Sequence, residues 1–467
     1  MSLPLSALEA LPPADGRAAD ALLAAEFARL APRLAVLDDD PTGVQTVHGV
    51  HVYTGWEAEE LRRGLEEQAR LFFVLTNSRS FSPGETERAH REIGRNLAAA
   101  ARRAGRDFVP VSRGDSTLRG HWPLETETLR RALEGEGLGP YDGEIIVPFF
   151  PEGGRYTLGN VHYVREGEAL IPAGETEFAR DADFGYRASD LPQWCEEKSG
   201  GRVRAADVAC IPLEWLRALD AEAVARTLRG VRGFGKVVVN AADYADVAVF
   251  CAGLLRAMGA GKRFVLRTAA ALPKVLGGVP GAPLLGRADM LAGRGAAGGL
   301  VVVGSHVNKT TRQLEALLEG LPELRPVCFD AGACLRPGGL EAEGARVRAA
   351  AETALRRGET AVVYTSRAVL GELADSVRIS HALTGVVRGL AQRPAFLVAK
   401  GGITSSDVGV NGLGVRRALV LGQAAPGVPV WRTETGSRFP GMPYVIFPGN
   451  VGEDDTLLRV VSTLLGR

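Results

Sequence analysis

A run of charged, hydroxyl and glycine residues follows directly on the apolar segment Phe108–Val111. It contains Asp115, two hydroxyl residues and the arginines Arg113 and Arg119. In open α/β sheets, ligands bind beyond the carboxyl ends of the strands, where such a run would lie. Arginine can bind a carboxylate through two parallel hydrogen bonds, while aspartate and hydroxyl groups hydrogen-bond to substrate hydroxyls. The run indicates a small polyhydroxy acid as ligand; the competing interpretation is a helix start capped by Asp115 or Ser116.

Three consecutive carboxylates follow another apolar run, Leu34–Leu37. Asp38, Asp39 and Asp40 lead into a turn that contains Gly43. Adjacent carboxylates repel one another, so the cluster needs a partner such as a substrate hydroxyl, a metal ion or an arginine. The alternative is a polar turn in which one aspartate caps the next element.

A third apolar run, Leu71–Leu75, also ends in polar residues, and Arg79 is among them. Because sequential strands are usually neighbours, we expect this end beside the ends of the Leu34–Leu37 and Phe108–Val111 strands. Three neighbouring strand ends would converge on one polar ligand. Taken singly, Arg79 is explained equally well as a solvated surface residue.

Glycine-rich loops follow the remaining apolar runs. In the loop after Ile145–Val147, Gly153 and Gly154 allow the backbone to approach a ligand closely, although a plain turn explains them equally well. Three loops in the last third of the chain are rich in glycine and hydroxyls: Gly304-Ser305-His306, Lys400–Asp407 and Pro448–Gly452. Such turns bind phosphates through their backbone N–H groups. None has a P-loop or dinucleotide fingerprint, but three together favour a nucleotide site over ordinary βα turns.

Apolar β-type runs alternate with stretches of helical period, which predicts an α/β fold of mostly parallel sheets with flanking helices. A segment rich in Gly, Ala and Pro interrupts the pattern, which then restarts. The predicted bounds are 1–32 for a helical extension, 33–272 for a first α/β domain, 273–298 for the connection and 299–467 for a smaller second α/β domain. The further predicted strands are Lys236–Val239, Leu300–Val303, Ala361–Tyr364, Phe396–Val398 and Tyr444–Phe447, with helices at Thr310–Glu319 and Glu341–Arg357.

The composition is that of a globular protein without a strong electrostatic field. The 467 residues are 46% hydrophobic and 24% charged, and 55 basic residues balance 55 acidic ones. Net neutrality gives no global attraction to nucleic acid or to an anionic membrane surface. The five cysteines and seven histidines are dispersed, so we expect neither disulfides nor a protein metal site. Without a signal-peptide pattern or a run of about 18 apolar residues, a cytoplasmic protein is expected. Whether it forms a homo-oligomer is left open.

Six ordered motifs give the chain a resemblance to the four-carbon acid sugar kinase family over nearly all of the sequence after about residue 33. They are Asp39-Asp40-Pro41-Thr42-Gly43, Asp115 to Gly120, Pro148 to Arg155, Gly304-Ser305, Lys400–Ser405 and Gly449–Gly452. The chain departs from the more familiar form of the family at Asp38, where Ala is usual, at Pro41, where Leu is usual, and at Arg113, where Lys is common. Because of these departures, the substrate need not be one of the tetronates best known for the family.

The resemblance implies an ATP-dependent kinase that phosphorylates a hydroxyl of a four-carbon sugar acid, with Mg²⁺ accompanying ATP. It places the acid on the first domain, ATP on the second and phosphoryl transfer in the cleft between them. Arg79 and Arg119 are expected to hold the substrate carboxylate. Thr42, Ser116 and Arg155 are expected to fix its hydroxyls.

Asp115, or alternatively Asp39, is expected to accept the proton of the attacking hydroxyl, because neighbouring arginines orient Asp115 and keep it ionised. The other residues expected to contact the acid are Asp40, Gly43, Thr117 and Gly154. The residues expected to contact ATP are Ser305, Gly401, Gly402, Ile403, Thr404, Gly449, Asn450 and Gly452.

Two other functions stay open. The segment from Asp38 to Thr42 also fits the Asp-x-Asp-x-Thr signature of haloacid-dehalogenase-type phosphatases, which would use Asp38 as a covalent nucleophile. Against this, Lys198 is the only lysine between residues 80 and 235 and follows no evident strand. A non-catalytic sugar-acid sensor would use the same binding groups without turnover.

Overall fold

The computed structural model describes residues 2–292, 298–304, 307–366, 373–449 and 451–467. In chain order, its strands are β1 (Leu3–Pro4), β2 (Leu34–Asp38), β3 (Val50–Tyr53), β4 (Leu71–Leu75), β5 (Val109–Arg113), β6 (Gly143–Val147), β7 (Arg155–Leu158), β8 (Val161–Glu166), β9 (Ala169–Pro172), β10 (Ala209–Ile211), β11 (Gly235–Val239), β12 (Phe264–Thr268), β13 (Leu300–Val303), β14 (Arg325–Phe329), β15 (Ala361–Thr365), β16 (Leu397–Lys400), β17 (Arg417–Ala425), β18 (Val428–Thr433) and β19 (Pro443–Phe447). Its α-helices are α1 (Gly16–Phe27), α2 (Ala58–Glu66), α3 (Pro83–Ala104), α4 (Leu124–Gly135), α5 (Leu191–Lys198), α6 (Leu213–Arg217), α7 (Ala221–Gly230), α8 (Tyr244–Gly259), α9 (Ala271–Leu276), α10 (Arg287–Leu291), α11 (Asn308–Gly320), α12 (Gly339–Arg356), α13 (Leu373–Gly389), α14 (Gly402–Asp407) and α15 (Thr456–Leu465).

The chain divides into two compact units that are not contiguous in sequence. The first unit consists of Met1–Gly43 and Gly55–Pro280. The second consists of Val44–Thr54 and Gly281–Arg467, so it contains β3 from the N-terminal part of the chain. The predicted domain bounds, 33–272 and 299–467, contain no such exchange.

The first unit is built on a parallel sheet whose strands, in the described part of the chain, run in the order β10-β11-β6-β12-β5-β2-β4. Strands such as β2 and β4 are buried along their whole length, as expected for parallel strands with helices on both faces. β12, which comes last in the chain, lies between β5 and β6. The C-terminal ends of β4, β2 and β5 are therefore neighbours.

A smaller antiparallel sheet in the same unit has the order β1-β9-β8-β7. The N-terminal extension contributes its strand β1 and the helix α1, which Asp15 caps by accepting from the N–H of Ala18. Glu26 of α1 pairs with Arg256 of α8 at 2.8 Å. The extension is thus part of the first unit.

The second unit has a mixed sheet in the order β3-β17-β18-β19-β16-β13-β15-β14. The five strands from β19 to β14 are parallel, and β3, β17 and β18 add an antiparallel side. The core packs on the fully buried strands β13, β16 and β19, which consist largely of Val, Ile, Leu and Phe.

The structure confirms the predicted α/β class with mostly parallel sheets and flanking helices. Each strand and helix predicted by range agrees with the structure to within two residues at either end. The sequence interpretation does not include β12, whose apolar run is broken by Arg267, nor the antiparallel pair β17 and β18. In the described part of the chain, no helix is both long enough and apolar enough to cross a bilayer.

Candidate active site

The C-terminal ends of β4, β2 and β5 bring three polar loops together in the first unit. Asp38, the last residue of β2, is paired in register with the last residues of β4 and β5. The pairing continues beyond the strands, because the N–H of Thr76 donates to the carbonyl of Asp38 at 2.8 Å and the N–H of Asp39 to that of Arg113 at 3.2 Å. The loops that follow the three strands are therefore neighbours.

Each of the three consecutive aspartates contacts an arginine. Arg113 Nη1 lies 3.0 Å from Asp38 Oδ1. Arg79 binds Asp39 through two hydrogen bonds, Nη2 to Oδ1 at 2.6 Å and Nε to Oδ2 at 3.2 Å, and also reaches Asp40 Oδ2 at 3.4 Å. Arg113, at the end of β5, and Arg79, in the loop after β4, thus offset the repulsion between the carboxylates.

The three carboxyls differ in proton affinity because their surroundings differ. Burial raises the pKa of Asp38 to about 7, even though Arg113 opposes the shift. Burial also raises the pKa of Asp39. At Asp40, burial is outweighed by Arg79 and by hydrogen bonds from the hydroxyl and N–H of Thr42, so the pKa of Asp40 is lowered. Asp40 is consequently ionised at neutral pH.

Asp115 follows β5 and keeps one oxygen available. Its Oδ2 accepts a hydrogen bond from Arg119 Nε at 2.8 Å and another from the hydroxyl of Thr117. Among the described residues, no side chain or N–H donates to Oδ1, and 12% of the side chain is exposed. Burial favours the neutral form, but Arg79 and Arg119 outweigh it and hold the pKa of Asp115 well below its usual range. Asp115 is therefore an ionised, accessible acceptor.

Two residues that the sequence did not indicate hold the loop around Asp115. His162 Nε2 donates to the carbonyl of Ser116 at 2.8 Å, and its Nδ1 accepts from the hydroxyl of Thr157 at 3.0 Å. Burial lowers the pKa of His162 to about 4, so the ring is neutral. The hydroxyl of Tyr186 donates to the carbonyl of Thr117 at 2.6 Å. Both residues come from segments far along the chain, and no local pattern points to them.

Arg267 at the end of β12 is another residue that the sequence did not indicate. It donates to the carbonyl of Arg119 at 3.3 Å, and its Nη1 lies 3.6 Å from Oε2 of Glu125. Ser78 in turn donates to Glu125 Oε1 at 3.0 Å. Arg267 and Glu125 thus join the loops after β4 and β5 to β12.

Close packing explains two glycines of this region. A Cβ atom at Gly43 would lie 1.9 Å from Oδ2 of Asp38, and one at Gly114 would lie 1.6 Å from Nη1 of Arg267. Neither position can carry a side chain while these buried groups stay in place. Gly43, which was predicted to contact substrate, is therefore already required by the packing of Asp38.

Arg155 and Arg119 come together over one aromatic ring. Arg155 is the first residue of β7, directly after Gly154, which has the left-handed φ of 75°. The guanidinium carbons of Arg119 and Arg155 lie 5.2 and 5.4 Å from the centroid of Phe178. The glycine-rich loop after β6 thus delivers Arg155 to the surroundings of Asp115, which contributes to the electrostatic environment of Arg155.

Two of the departures from the familiar family form contact each other. Asp38 and Arg113 are 2% and 5% exposed and form the 3.0 Å ion pair. Because one substitution supplies the partner of the other, internal packing explains both. The same burial does not favour the phosphatase alternative, since a nucleophilic Asp38 would have to reach a substrate.

The three glycine loops of the second unit follow adjacent strands. Val303 of β13 is opposite Lys400 of β16, and Lys400 is opposite Phe447 of β19. Beyond the strands, the N–H of Gly304 donates to the carbonyl of Lys400 at 3.3 Å and that of Gly401 to the carbonyl of Phe447 at 2.8 Å. Ser305 and Asn450, both predicted to contact ATP, lie outside the described residues.

Side chains of α11 and β16 donate to the carbonyls of residues 448, 449 and 451–453, the described part of what we call the 448–453 loop. The contacts are Lys400 to Pro448 at 2.5 Å and to Gly449 at 3.1 Å, Thr310 to Gly449 at 3.1 Å, Gln313 to Val451 at 3.1 Å and to Glu453 at 2.7 Å, and Lys309 to Gly452 at 3.1 Å. In a planar trans peptide the N–H points opposite to the carbonyl. The carbonyl of Pro448 shares its peptide with the N–H of Gly449, which therefore points away from Lys400. In the same way, the N–H of Gly452 points away from Gln313, which binds the carbonyl of Val451.

Lys400 brings a buried cation to the same loop. Its ammonium lies 4.2 Å from the centroid of the Phe447 ring. Burial, together with repulsion from Lys309, lowers the pKa of Lys400 to about 7. Lys400 belongs to a predicted glycine loop but was not among the predicted contacts.

The other predicted nucleotide contacts at the start of α14 differ in how far they are exposed. Gly401 has a φ of 124°, a conformation open to glycine, and Gly402 begins the helix. Ile403 is 75% exposed. Thr404 is buried against Gly304, where a Cβ atom would lie 2.3 Å from its Oγ1.

Comparison with known proteins assigns both parts of the chain. Residues 34–276 match the family described as a sugar-binding N-terminal domain, and residues 300–457 match the nucleotide-binding C-terminal domain. A D-threonate kinase of Bordetella bronchiseptica is 28% identical over 459 residues, which is 93% of this chain and 98% of that protein. A D-threonate kinase of Cupriavidus necator is 28% identical over 394 residues, 79% of this chain and 84% of that protein.

The fold also recurs among solved structures. A Salmonella typhimurium LT2 protein superposes with a TM-score of 0.66 at 18% identity, over 92% of this chain and 98% of that chain. At this identity the likeness concerns the fold alone. The two matched domains follow each other in the order of the motifs found in the sequence. On these matches, the chain belongs to the four-carbon acid sugar kinase family.

Proposed function

We propose that this protein is an ATP-dependent kinase that transfers the terminal phosphoryl group of ATP to a hydroxyl of a small sugar acid, most simply one with four carbons. The observation that carries the proposal is Asp115, an ionised and accessible carboxylate among arginines at the C-terminal edge of the sheet. Its relatives named as D-threonate kinases support the same reaction class.

In the proposed reaction, Asp115 accepts the proton of the attacking hydroxyl through Oδ1. Phosphoryl transfer requires chiefly positioning and charge stabilisation, and a carboxylate that accepts the hydroxyl proton completes it. Asp39, the other predicted acceptor, is bound by Arg79 through both oxygens and is buried. Asp115 is therefore the better placed of the two, and Asp39 serves to orient Arg79.

The nucleotide phosphates are proposed to bind at the glycine loops of the second unit, with the N–H groups of Gly449 and Gly452 as donors. Backbone N–H groups in such turns attract anions. We propose Mg²⁺ as the companion of ATP, where it would neutralise part of the charge of the phosphates. In the described residues, no group of three or more His, Cys, Asp or Glu side chains is placed to hold a metal ion.

The test is ATP-dependent phosphorylation of a panel of tetronates, 3-oxo-tetronates and related acids, measured as the release of ADP. Asp115→Asn is expected to lower kcat roughly 100-fold or more while nucleotide affinity stays unchanged. Asp181→Asn is the matched control, since Asp181 also pairs with Arg119, at 3.5 Å. It is expected to lose less than about 10-fold.

Full activity in Asp115→Asn would show that the acceptor is assigned wrongly. Binding of an acid without any ADP release would favour the sensor alternative. If the parent protein has no kinase activity but hydrolyses a phosphate ester, and Asp38→Asn loses that hydrolysis, the phosphatase would be favoured.

A further inference from the structure

We propose that Arg155, supported by the ring of Phe178, binds the carboxylate of the substrate and sets the preference for acids over neutral polyols. The inference rests on the proposed function for the identity of the substrate as an acid. It replaces the expectation that Arg79 and Arg119 bind this carboxylate.

Four of the arginines around Asp115 already contact a carboxylate of the protein. These pairs are Arg79 with Asp39 and Asp40, Arg113 with Asp38, Arg119 with Asp115 and Asp181, and Arg267 with Glu125. Their charges are used to keep the acidic residues in place, so a substrate carboxylate at any of them would compete with an existing ion pair.

Arg155 differs from these four. Within the described residues no carboxylate lies within 4.0 Å of its guanidinium, whose hydrogen bond goes to the carbonyl of Gly153. Its Nε is buried and has no hydrogen-bond partner in the described part of the chain. A buried donor that lacks a partner is costly, and an anionic ligand would remove that cost.

The electrostatic surroundings of Arg155 also favour an added anion. Burial lowers the pKa of Arg155, Asp115 opposes this shift, and Arg119, which lies over the same Phe178 ring, adds to it. A carboxylate next to Arg155 would restore the balance of charge. Arginine suits this role because its planar donors match the two carboxylate oxygens.

The backbone holds Arg155 in a defined position. Arg155 is paired with Val164 in the antiparallel register of β7 and β8, and Phe150 exchanges two backbone hydrogen bonds with it. The preceding Gly154 has no room for a side chain, since a Cβ atom would lie 2.8 Å from Cβ of Arg165. A fixed guanidinium loses little entropy on binding, which is what selective recognition of one functional group requires.

The experiment compares a four-carbon sugar acid with its primary amide, which has the same hydroxyls and no charge. KM and kcat for both are measured with the parent protein, Arg155→Gln, Arg155→Lys and the control Arg165→Gln. Arg165 is on the neighbouring strand, and its ion pair with Glu168 is exposed. Affinity for the acid without nucleotide is measured by calorimetry, which gives a readout independent of turnover.

Arg155→Gln is expected to raise KM for the acid about 100-fold, with kcat changed far less, and to leave KM for the amide unchanged. Arg155→Lys is expected to recover about 10-fold, since lysine keeps the charge but not the paired donors. Arg165→Gln is expected to behave as the parent. The change in the ratio of the KM values for acid and amide is the decisive quantity, because a merely structural defect would affect both ligands.

An unchanged acid-to-amide ratio in Arg155→Gln would overturn the proposal, as would unchanged acid affinity in the calorimeter. A proportional loss for acid and amide together would also overturn it, because it would assign Arg155 to the hydroxyls or to the fold. Failure of the proposed function looks different: the parent protein itself would then phosphorylate no acid, whatever happens to binding at Arg155.

Discussion

Asp38, Asp39 and Asp40 show how one stretch of identical residues acquires three electrostatic roles. Burial raises the pKa of Asp38 and Asp39, whereas Arg79 and Thr42 lower that of Asp40. The pKa of each carboxyl is set by its surroundings, because a shift in pKa measures how differently they interact with the protonated and the ionised form. Asp115 completes the set as the ionised group with a free oxygen.

Asp38 should make the stability of the protein fall with pH in a defined window. Its pKa is about 7 in the folded protein against 3.8 for the ordinary carboxyl, so the folded state binds more protons between these values. We expect the unfolding free energy of the parent, relative to Asp38→Asn, to decrease as pH rises from 3.8 to 7 and to be level outside this window. The full difference is roughly 4 kcal/mol.

Chemical denaturation of both proteins at a series of pH values checks this expectation. Asp207→Asn, which removes the exposed partner of Arg204, is the control and should show no such window. A relative stability that rises with pH would mean that Arg113 outweighs burial at Asp38.

The 448–453 loop obtains its orientation from a helix and a strand distant in sequence. Four side chains of α11 and β16 donate to five carbonyls of the loop. A peptide whose carbonyl points toward these side chains has its N–H on the opposite side. In the first unit, His162 and Tyr186 similarly fix the loop after β5 through its carbonyls.

Replacing Gln313 by Leu should loosen the 448–453 loop with little change in volume. The side chain is fully buried and Nε2 donates to Val451 and Glu453. The carbonyls of Val451 and Glu453 would lose this donor, and a carbonyl that stays shielded from water without a donor costs roughly 1–3 kcal/mol in stability. We expect KM for ATP to rise about 10-fold while KM for the acid stays constant, because only the orientation of the N–H groups that we propose to bind phosphate changes.

Steady-state kinetics with each substrate varied in turn provides the measurement. Arg312→Leu, one position earlier and paired with Asp454 at the surface, is the control. An equal rise in both KM values would indicate a general loss of folded protein instead.

Across the whole molecule, the chain passes between the two units more than once. The segment Val44–Thr54 directly follows the aspartate loop and lies in the second unit, where β3 pairs with β17 from Arg417 to Val420. The polypeptide is continuous at Gly43, so a segment of the second unit begins directly after the aspartate loop.

Val52→Ala in β3 should therefore destabilise the second unit although it lies early in the sequence. Val52 is 2% exposed and is opposite Ala418 of β17. Removing two buried methyl groups costs about 2 kcal/mol, and the cost should fall on the unit that contains β3. Hydrogen exchange by mass spectrometry is expected to show faster exchange in β17 and β18, with the parallel sheet of the first unit unchanged.

Val74→Ala in β4, also fully buried, is the matched control and should accelerate exchange in the first unit. Faster exchange confined to β2 and β4 in Val52→Ala would place β3 with the first unit and contradict the division.

The alternation of apolar and polar residues was enough to locate most parallel strands and the polar loops after them, since both depend on residues close in the chain. The motifs around Asp39, Asp115, Arg155 and Lys400 were enough to indicate the family. Contacts between distant segments decide which arginine near Asp115 has no carboxylate partner among the described residues and why Asp38 and Asp40 differ in pKa. They also decide how Arg267, His162 and Tyr186 support the site. Burial and pairing arise only when the strands assemble, and a linear pattern carries no record of them.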